Sequence, residues 1–212
     1  MHDCDHLREI PSPVTISILP NLGHSTDIAQ CAHAYGKEVM LHFPLEPHPH
    51  ENPDQYPKNY IVTTDMPKGL IIDRLEESLS SVPYVDGINN HMGSKATEDQ
   101  RLMSIIFAQL QNKDLFFVDS RVTSKTICPQ LARQSGLPFA QRDVFLDNVN
   151  ERTSIEKQFE LLARIAHKKG FAIGIGHTRE LTWAVIKEKV NQLKQAGFEI
   201  VPVRTIVDEN ND

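Results

Sequence analysis

The sequence is poor in cysteine, has no excess of basic charge and contains no long apolar run, and each shortage removes a class of function. Its three cysteines, Cys4, Cys31 and Cys128, lie far apart with no CxxC spacing. The residues therefore support neither a disulfide framework nor a cysteine zinc site, and isolated thiols in or near the core are expected. No apolar stretch approaches the length of about 20 residues that crossing a bilayer takes. The opening MHDCDHLREI is polar and lacks the apolar core of a signal peptide, so the chain as written carries no targeting signal and reads as cytoplasmic. With 22 Lys and Arg against 28 Asp and Glu, the formal net charge is -6. No basic surplus exists to neutralise phosphates, which argues against a nucleic-acid partner and gives no reason to expect attraction to anionic membranes. A Walker loop, a dinucleotide glycine fingerprint and a GxSxG elbow are all missing, so phosphoryl transfer and serine hydrolase chemistry have no motif to rest on.

What is present is an alternation. Short β-branched or aromatic runs predict strands at Val14–Leu19, Val39–Phe43, Gly87–Asn90, Leu115–Val118, Phe171–Ile175 and Glu199–Val203, with a weaker one at Phe139–Leu146. Between them, helical spacing predicts helices over Asp27–Tyr35, Lys68–Val82, Thr97–Lys113, Ile127–Gln134, Ser154–Lys168 and Glu180–Gln195. Thr97 with Gln100 and Thr153 with Glu156 fit capping boxes, and Gly36, Gly136, Gly170 and Gly197 stand where helices should stop. Strand-helix alternation implies a parallel sheet, doubly wound or closed into a barrel, and 212 residues without repeat or linker make one domain. One long loop, Glu46 to Met66, carries Pro47, Pro49, Pro53 and Pro57 with His48 and His50, both expected to be solvated. His24, His33 and His167 are expected on exposed surfaces.

Parallel α/β sheets carry their sites at the carboxyl ends of the strands. There the chain places His42 and Glu46, then Asn89, Asn90 and His91, then Asp119, Ser120 and Arg121, then Arg142, Asp143 and Asp147, and finally His177. A strand buried on both faces should otherwise stay apolar. Each residue has a plainer structural role open to it. A strand-end histidine can be a hydrogen-bonded loop residue, and Asp119 can cap a helix with Arg121 or Arg142 as its ion pair. Their recurrence at five successive strand ends is what favours a site. Two histidines with carboxylates suit zinc or another borderline divalent ion, which activates water and polarises a carbonyl, while a further histidine protonates a leaving group. That is amide or ester hydrolysis.

The segments LHFPLEP, INNHMGS, FFVDSR, RDVFLD and IGIGH resemble the divergent polysaccharide deacetylases, a family of the glycoside hydrolase/deacetylase (β/α)-barrel superfamily. The match runs in order across the chain. The resemblance implies a distorted barrel of about seven parallel strands and hydrolytic removal of acetyl groups from a carbohydrate. It implies a metal held by His42 and His91, with Asp119, Arg142, Asp143 and His177 lining the same cleft. The second histidine of the usual HxxxH stretch is replaced by Glu46, which becomes the third candidate ligand. His177 is the expected general acid, and Asn89, Asn90 and Arg121 are the expected substrate contacts. Family members open with a strand ending in Asp-Asp, which supplies a metal ligand and general base. These 212 residues start within the helix that follows it. The expectation is therefore an incomplete metal shell in this chain, and an exported or periplasmic location if an upstream segment exists. Two rival readings accompany it. One is a non-catalytic carbohydrate-binding or envelope-scaffold protein on the same barrel. The other is a glycoside hydrolase using Asp119 and Asp143, which would leave the histidines without a role.

Overall fold

The computed structural model describes residues 2–10, 13–49 and 57–209. Strands and helices alternate: α1 (His2–Glu9), β1 (Ile16–Ile18), α2 (Ser25–Ala34), β2 (Val39–Leu45), α3 (Lys68–Ser81), β3 (Val85–Met92), α4 (Gln100–Gln111), β4 (Phe116–Asp119), α5 (Cys128–Ser135), β5 (Phe139–Gln141), β6 (Val144–Phe145), α6 (Arg152–Lys169), β7 (Gly174–Ile175), α7 (Glu180–Gln195) and α8 (Val203–Glu209). β1 to β5 form one parallel sheet in sequence order, and β6 and β7 form a second parallel pair. Seven parallel strands with helices outside make a distorted, incompletely hydrogen-bonded (β/α) barrel, as expected.

The period-2 alternation of the strands separates two cores. Facing the helices, Leu41, Ile88, Phe117 and Phe139 lie in register across β2 to β5. They join the larger cluster, where Phe117 packs 5.1 Å from the Phe107 ring of α4. Facing the barrel axis, Met40 and Phe116 flank Gly87 in the adjoining row. A Cβ on Gly87 would overlap the ring of Phe116, so only glycine leaves room for that ring inside the barrel. Val118, Ala140, Ile173, Ile206 and Val207 complete this inner cluster.

Several local expectations are corrected. Glu199–Val203 forms no strand: Pro202 has no N–H for a ladder, and the chain turns into α8 at Val203. The Val203 and Arg204 N–H groups donate to Glu38 at 2.9 and 3.0 Å. Ile206 and Val207 then enter the inner cluster, so α8 plugs the end of the barrel where the strands begin. Phe139–Leu146 divides into β5 and β6, which belong to different sheets. The chain crosses between them at Arg142 and Asp143, whose N–H groups donate to Asp119 O and Ile173 O. The predicted capping boxes do not form. The Thr97 hydroxyl donates to Gly93 O within a 3-10 turn, and Asp99 caps α4 by accepting from Leu102 N–H at 2.7 Å. α6 begins ahead of Thr153, at Arg152. The glycine stops hold: at Gly136 and Gly170 the C-cap residue is left-handed, with φ of 70° and 94°.

Cys4 and Cys31 are not isolated thiols: they form a disulfide joining α1 to α2, with Cα atoms 5.9 Å apart. Helix packing brings together residues 27 apart, which no local spacing reveals. Cys128 is the buried free thiol, its pKa pushed up by burial. His48 is half-buried and not merely solvated. Its N–H donates to Ser94 Oγ at 2.9 Å, and its ring lies 3.3 Å from Glu98. His50 and Pro53 of the same loop lie outside the described residues. Among the described residues no helix is long and apolar enough to cross a membrane.

Candidate functional site

β2 is buried at every position except one, His42, which is half-buried. In register beside it on β3 stands Asn89, and the next inward position of β3 is His91. His42 Nδ1 lies 3.0 Å from Asn89 Oδ1. An amide oxygen only accepts, so the proton belongs on Nδ1 and the lone pair on Nε2. That Nε2 points at His91 Nδ1, 3.1 Å away, with the rings edge to face and centroids 4.8 Å apart. Two ligands of a tetrahedral zinc with Zn–N of about 2.0–2.1 Å are separated by roughly 3.3 Å. The observed spacing fits two nitrogens on one ion. Among the described residues no third His, Cys, Asp or Glu joins them. Glu46 is turned elsewhere: its carboxylate accepts from Thr64 N–H and hydroxyl at 2.7 and 2.8 Å and pairs with Lys95 at 2.7 Å. Burial alone would raise its pKa, but these bonds prevail and hold it low.

Asn89 and Asn90 are buried and fully engaged in holding strands together. Asn89 Oδ1 accepts the Ser17 hydroxyl from β1, and its Nδ2 donates to Ser120 Oγ at 3.1 Å. Asn90 Oδ1 accepts from Ser120 N–H at 2.8 Å, and its Nδ2 donates to Met92 O at 2.7 Å. Ser120, to which no role was assigned from sequence, is the shared node of β3, β4 and β5.

The end of β4 is organised by Asp119. It has the parity of Phe117, so it faces the helices and is fully buried. Its oxygens accept from Arg121 N–H and from the Thr126 hydroxyl, each at 2.7 Å. Burial raises its pKa against those bonds. Arg121 itself is left-handed, at φ 51°. A non-glycine residue there costs on the order of 1–3 kcal/mol. Arg142 then ties β5 to this turn, donating from Nε to Ser120 O at 2.6 Å and from Nη2 to Arg121 O at 2.8 Å. Asp143 lies apart from this turn; it accepts from Ile173 N–H at 2.9 Å and pairs with Lys169 at 3.2 Å.

His177 follows β7 and is exposed at the rim. Its Nδ1 lies 3.0 Å from Asp147 Oδ1, and its own N–H donates to Asp147 Oδ2 at 3.0 Å. Asp147 ends the VFL run of β6 and is fully buried; it also accepts the Thr182 hydroxyl at 2.8 Å. A carboxylate accepts only, so the His177 proton sits on Nδ1 and the lone pair on Nε2 of an exposed ring. Sequence reading noted Asp147 at its strand end without giving it a task; its pairing with His177 needs the β6–β7 register to be seen. Phe145 links the two halves of the rim: its ring lies 5.3 Å from His177 and 5.1 Å from the Arg142 guanidinium. The fold thus gathers His42, His91 and Asn89 in one group, Asp119, Arg121 and Arg142 in a second, and His177 with Asp147 in a third. Glu46 and Asp143 stand outside all three.

Comparisons with known proteins return the same fold and a family. The chain belongs to the divergent polysaccharide deacetylase family, whose model matches residues 1–207. It is similar to an uncharacterized protein of Haemophilus influenzae, at 31% identity over 202 residues, covering 90% of this chain and 69% of that protein. It is similar also to the uncharacterized Escherichia coli protein YibQ, at 31% identity over 192 residues, covering 91% of this chain but 59% of YibQ. The chain thus spans about two thirds of the length of these relatives. Among solved structures, uncharacterized protein ATU2773 of Agrobacterium tumefaciens superposes with a TM-score of 0.91 at 25% identity, over 97% of this chain and 83% of that one. A lactam utilization protein of Thermus thermophilus shares the fold alone, with a TM-score of 0.65 at 15% identity.

Proposed function

We propose that this chain is a metal-dependent deacetylase that hydrolyses acetyl amide or ester groups on a polysaccharide. The observation that carries the reading is the meeting of His42 Nε2 and His91 Nδ1 at 3.1 Å at the strand ends of a polysaccharide deacetylase domain. A divalent cation on these nitrogens, zinc by donor type, would supply a Lewis acid and a water of lowered pKa. Asn89 fixes the His42 tautomer so that its lone pair faces the site. His177 holds its Nδ1 proton on Asp147, so Nε2 would take up the proton released by the attacking water and, as imidazolium, pass it to the departing amine or alkoxide as the acyl bond breaks. Arg142, clamped to two carbonyls, holds the β4 turn beside that histidine. An extracytoplasmic location accompanies the proposal, supported by the Cys4–Cys31 disulfide, since such bonds persist in oxidising compartments.

The test combines zinc calorimetry with acetate release from acetylated oligosaccharides, run beside the full-length Escherichia coli relative. His91→Ala should abolish zinc binding. His177→Ala should keep zinc and lower the rate by about 10²–10⁴-fold. Release of the metal by His177→Ala would reverse the assignment of ligand and acid. Oligosaccharide binding with no acetate from either protein would replace this reading with a non-catalytic carbohydrate-binding one.

A further inference from the structure

At the ends of β4 and β5 two arginines adjoin, Arg142 donating to the Arg121 carbonyl at 2.8 Å, in a protein of formal net charge -6. Arg142 is half-buried and oriented by its bonds to Ser120 O and Arg121 O. A guanidinium carries five N–H donors. Three of them, both on Nη1 and one on Nη2, have no protein acceptor among the described residues. The Arg121 side chain is exposed and has neither a hydrogen bond nor an ion pair among the described residues.

The neighbouring carboxylates do not satisfy either group. Asp119 is buried and bonded to Arg121 N–H and Thr126, while Asp143 is taken up by Ile173 N–H and Lys169. Burial, and next the charge of Arg121, pull the Arg142 pKa below its ordinary value. Asp119 and Asp143 act the other way without reversing it, and the Arg142 guanidinium lies against the Arg121 backbone, which is left-handed at φ 51°. An anion bound between the two arginines would relieve the repulsion and complete the donors, since a planar guanidinium edge matches carboxylate and phosphate oxygens in pairs.

We propose that Arg121 and Arg142 form a subsite for a carboxylate or phosphate carried by the substrate, so that the glycan acted on is an acidic one. The inference rests on the polysaccharide deacetylase reading above and narrows its substrate class. Phe145, which touches both Arg142 and His177, sets the distance: the anion belongs to the reacting sugar or to one adjoining it.

The experiment is calorimetric titration of the whole chain with size-matched acetylated oligosaccharides that are neutral, carboxylated or phosphorylated. Acetate release is measured on the same samples. The wild type should bind at least one acidic oligomer about tenfold more tightly than the neutral one, and the preference should shrink as salt rises. Arg121→Gln, at an exposed side chain without partners, should lower the acidic-to-neutral ratio about tenfold. The carboxylated and phosphorylated arms identify which anion is read. Equal affinity for neutral and acidic oligomers, a ratio unmoved by Arg121→Gln, or no binding of any oligomer would each overturn the proposal. A charge preference without acetate would sink the deacetylase reading and leave the subsite standing. Equal acetate release from neutral and acidic oligomers at equal affinity would do the reverse.

Discussion

Asp147 receives the backbone N–H and Nδ1 of His177 and the Thr182 hydroxyl, with the Arg179 guanidinium 3.6 Å away. Burial works to raise its pKa, but the bonds from His177 and Thr182 prevail and hold it below the usual carboxylate range. A folded value below the unfolded one means that the ionised carboxylate stabilises the fold above about pH 4, and that this contribution is lost as pH falls through the folded value. Asp147→Asn should therefore flatten the acid limb of the stability-pH curve measured by chemical denaturation. It should also slow acetate release about 10–100-fold, because the amide oxygen stays on the His177 N–H and Thr182 hydroxyl and turns its NH2 against His177 Nδ1, disfavouring the Nδ1 proton. An unchanged acid limb would show that the carboxylate is not held as described. At this scale the sequence was legible where the signal is a residue type at a strand end, as with His42, His91 and His177. It was not legible where register decides. The helix-facing side of Asp119 follows from its parity with Phe117, which is knowable only once β4 is bounded. Glu46 stands where a ligand is expected, yet Lys95 and Thr64, distant in sequence, capture it.

Single elements depend on a few positions where the backbone must make room. Gly87 is the clearest: any Cβ there meets the Phe116 ring, which is fully buried and cannot withdraw without displacing Met40 or α8. Gly87→Ala should destabilise the fold by about 1–3 kcal/mol, read as a lower denaturation midpoint at unchanged slope. A midpoint equal to the wild type would mean that the inner cluster is loosely filled. The glycine stops and the helix spacing of α7, Glu180–Gln195, were readable because they arise from local backbone preferences. Glu199–Val203 was misread because its apolar run serves packing and not a ladder, with Pro202 breaking the pattern and Glu38 capturing the amides of α8. The break at Arg142 and Asp143 was hidden for a related reason: an apolar run carries no mark of which neighbour each half pairs with.

At the scale of the whole molecule, α1 is fixed on two sides. The Cys4–Cys31 bond holds it to α2, while the Glu9–Lys187 pair and the His6–Trp183 stack hold it to α7. Closing a loop of this length is worth roughly 3–4 kcal/mol in the chain-entropy model. Adding a thiol reductant, or making Cys31→Ser, should lower the unfolding free energy by up to about that amount. No change in either case would mean that the two sulfurs do not bond in solution. The parallel α/β class was evident from the alternation of runs, whereas this bond was not, because only the packed helices bring the two cysteines together. The plug formed by α8 has one more consequence. With Ile206 and Val207 packed among Met40, Phe116 and Ile173, the tube is blind at its base. On the proposed function, a sugar polymer would have no passage along the axis and would lie across the mouth like a rail over a well, so residues far from either end of a long chain would be as reachable as its tips.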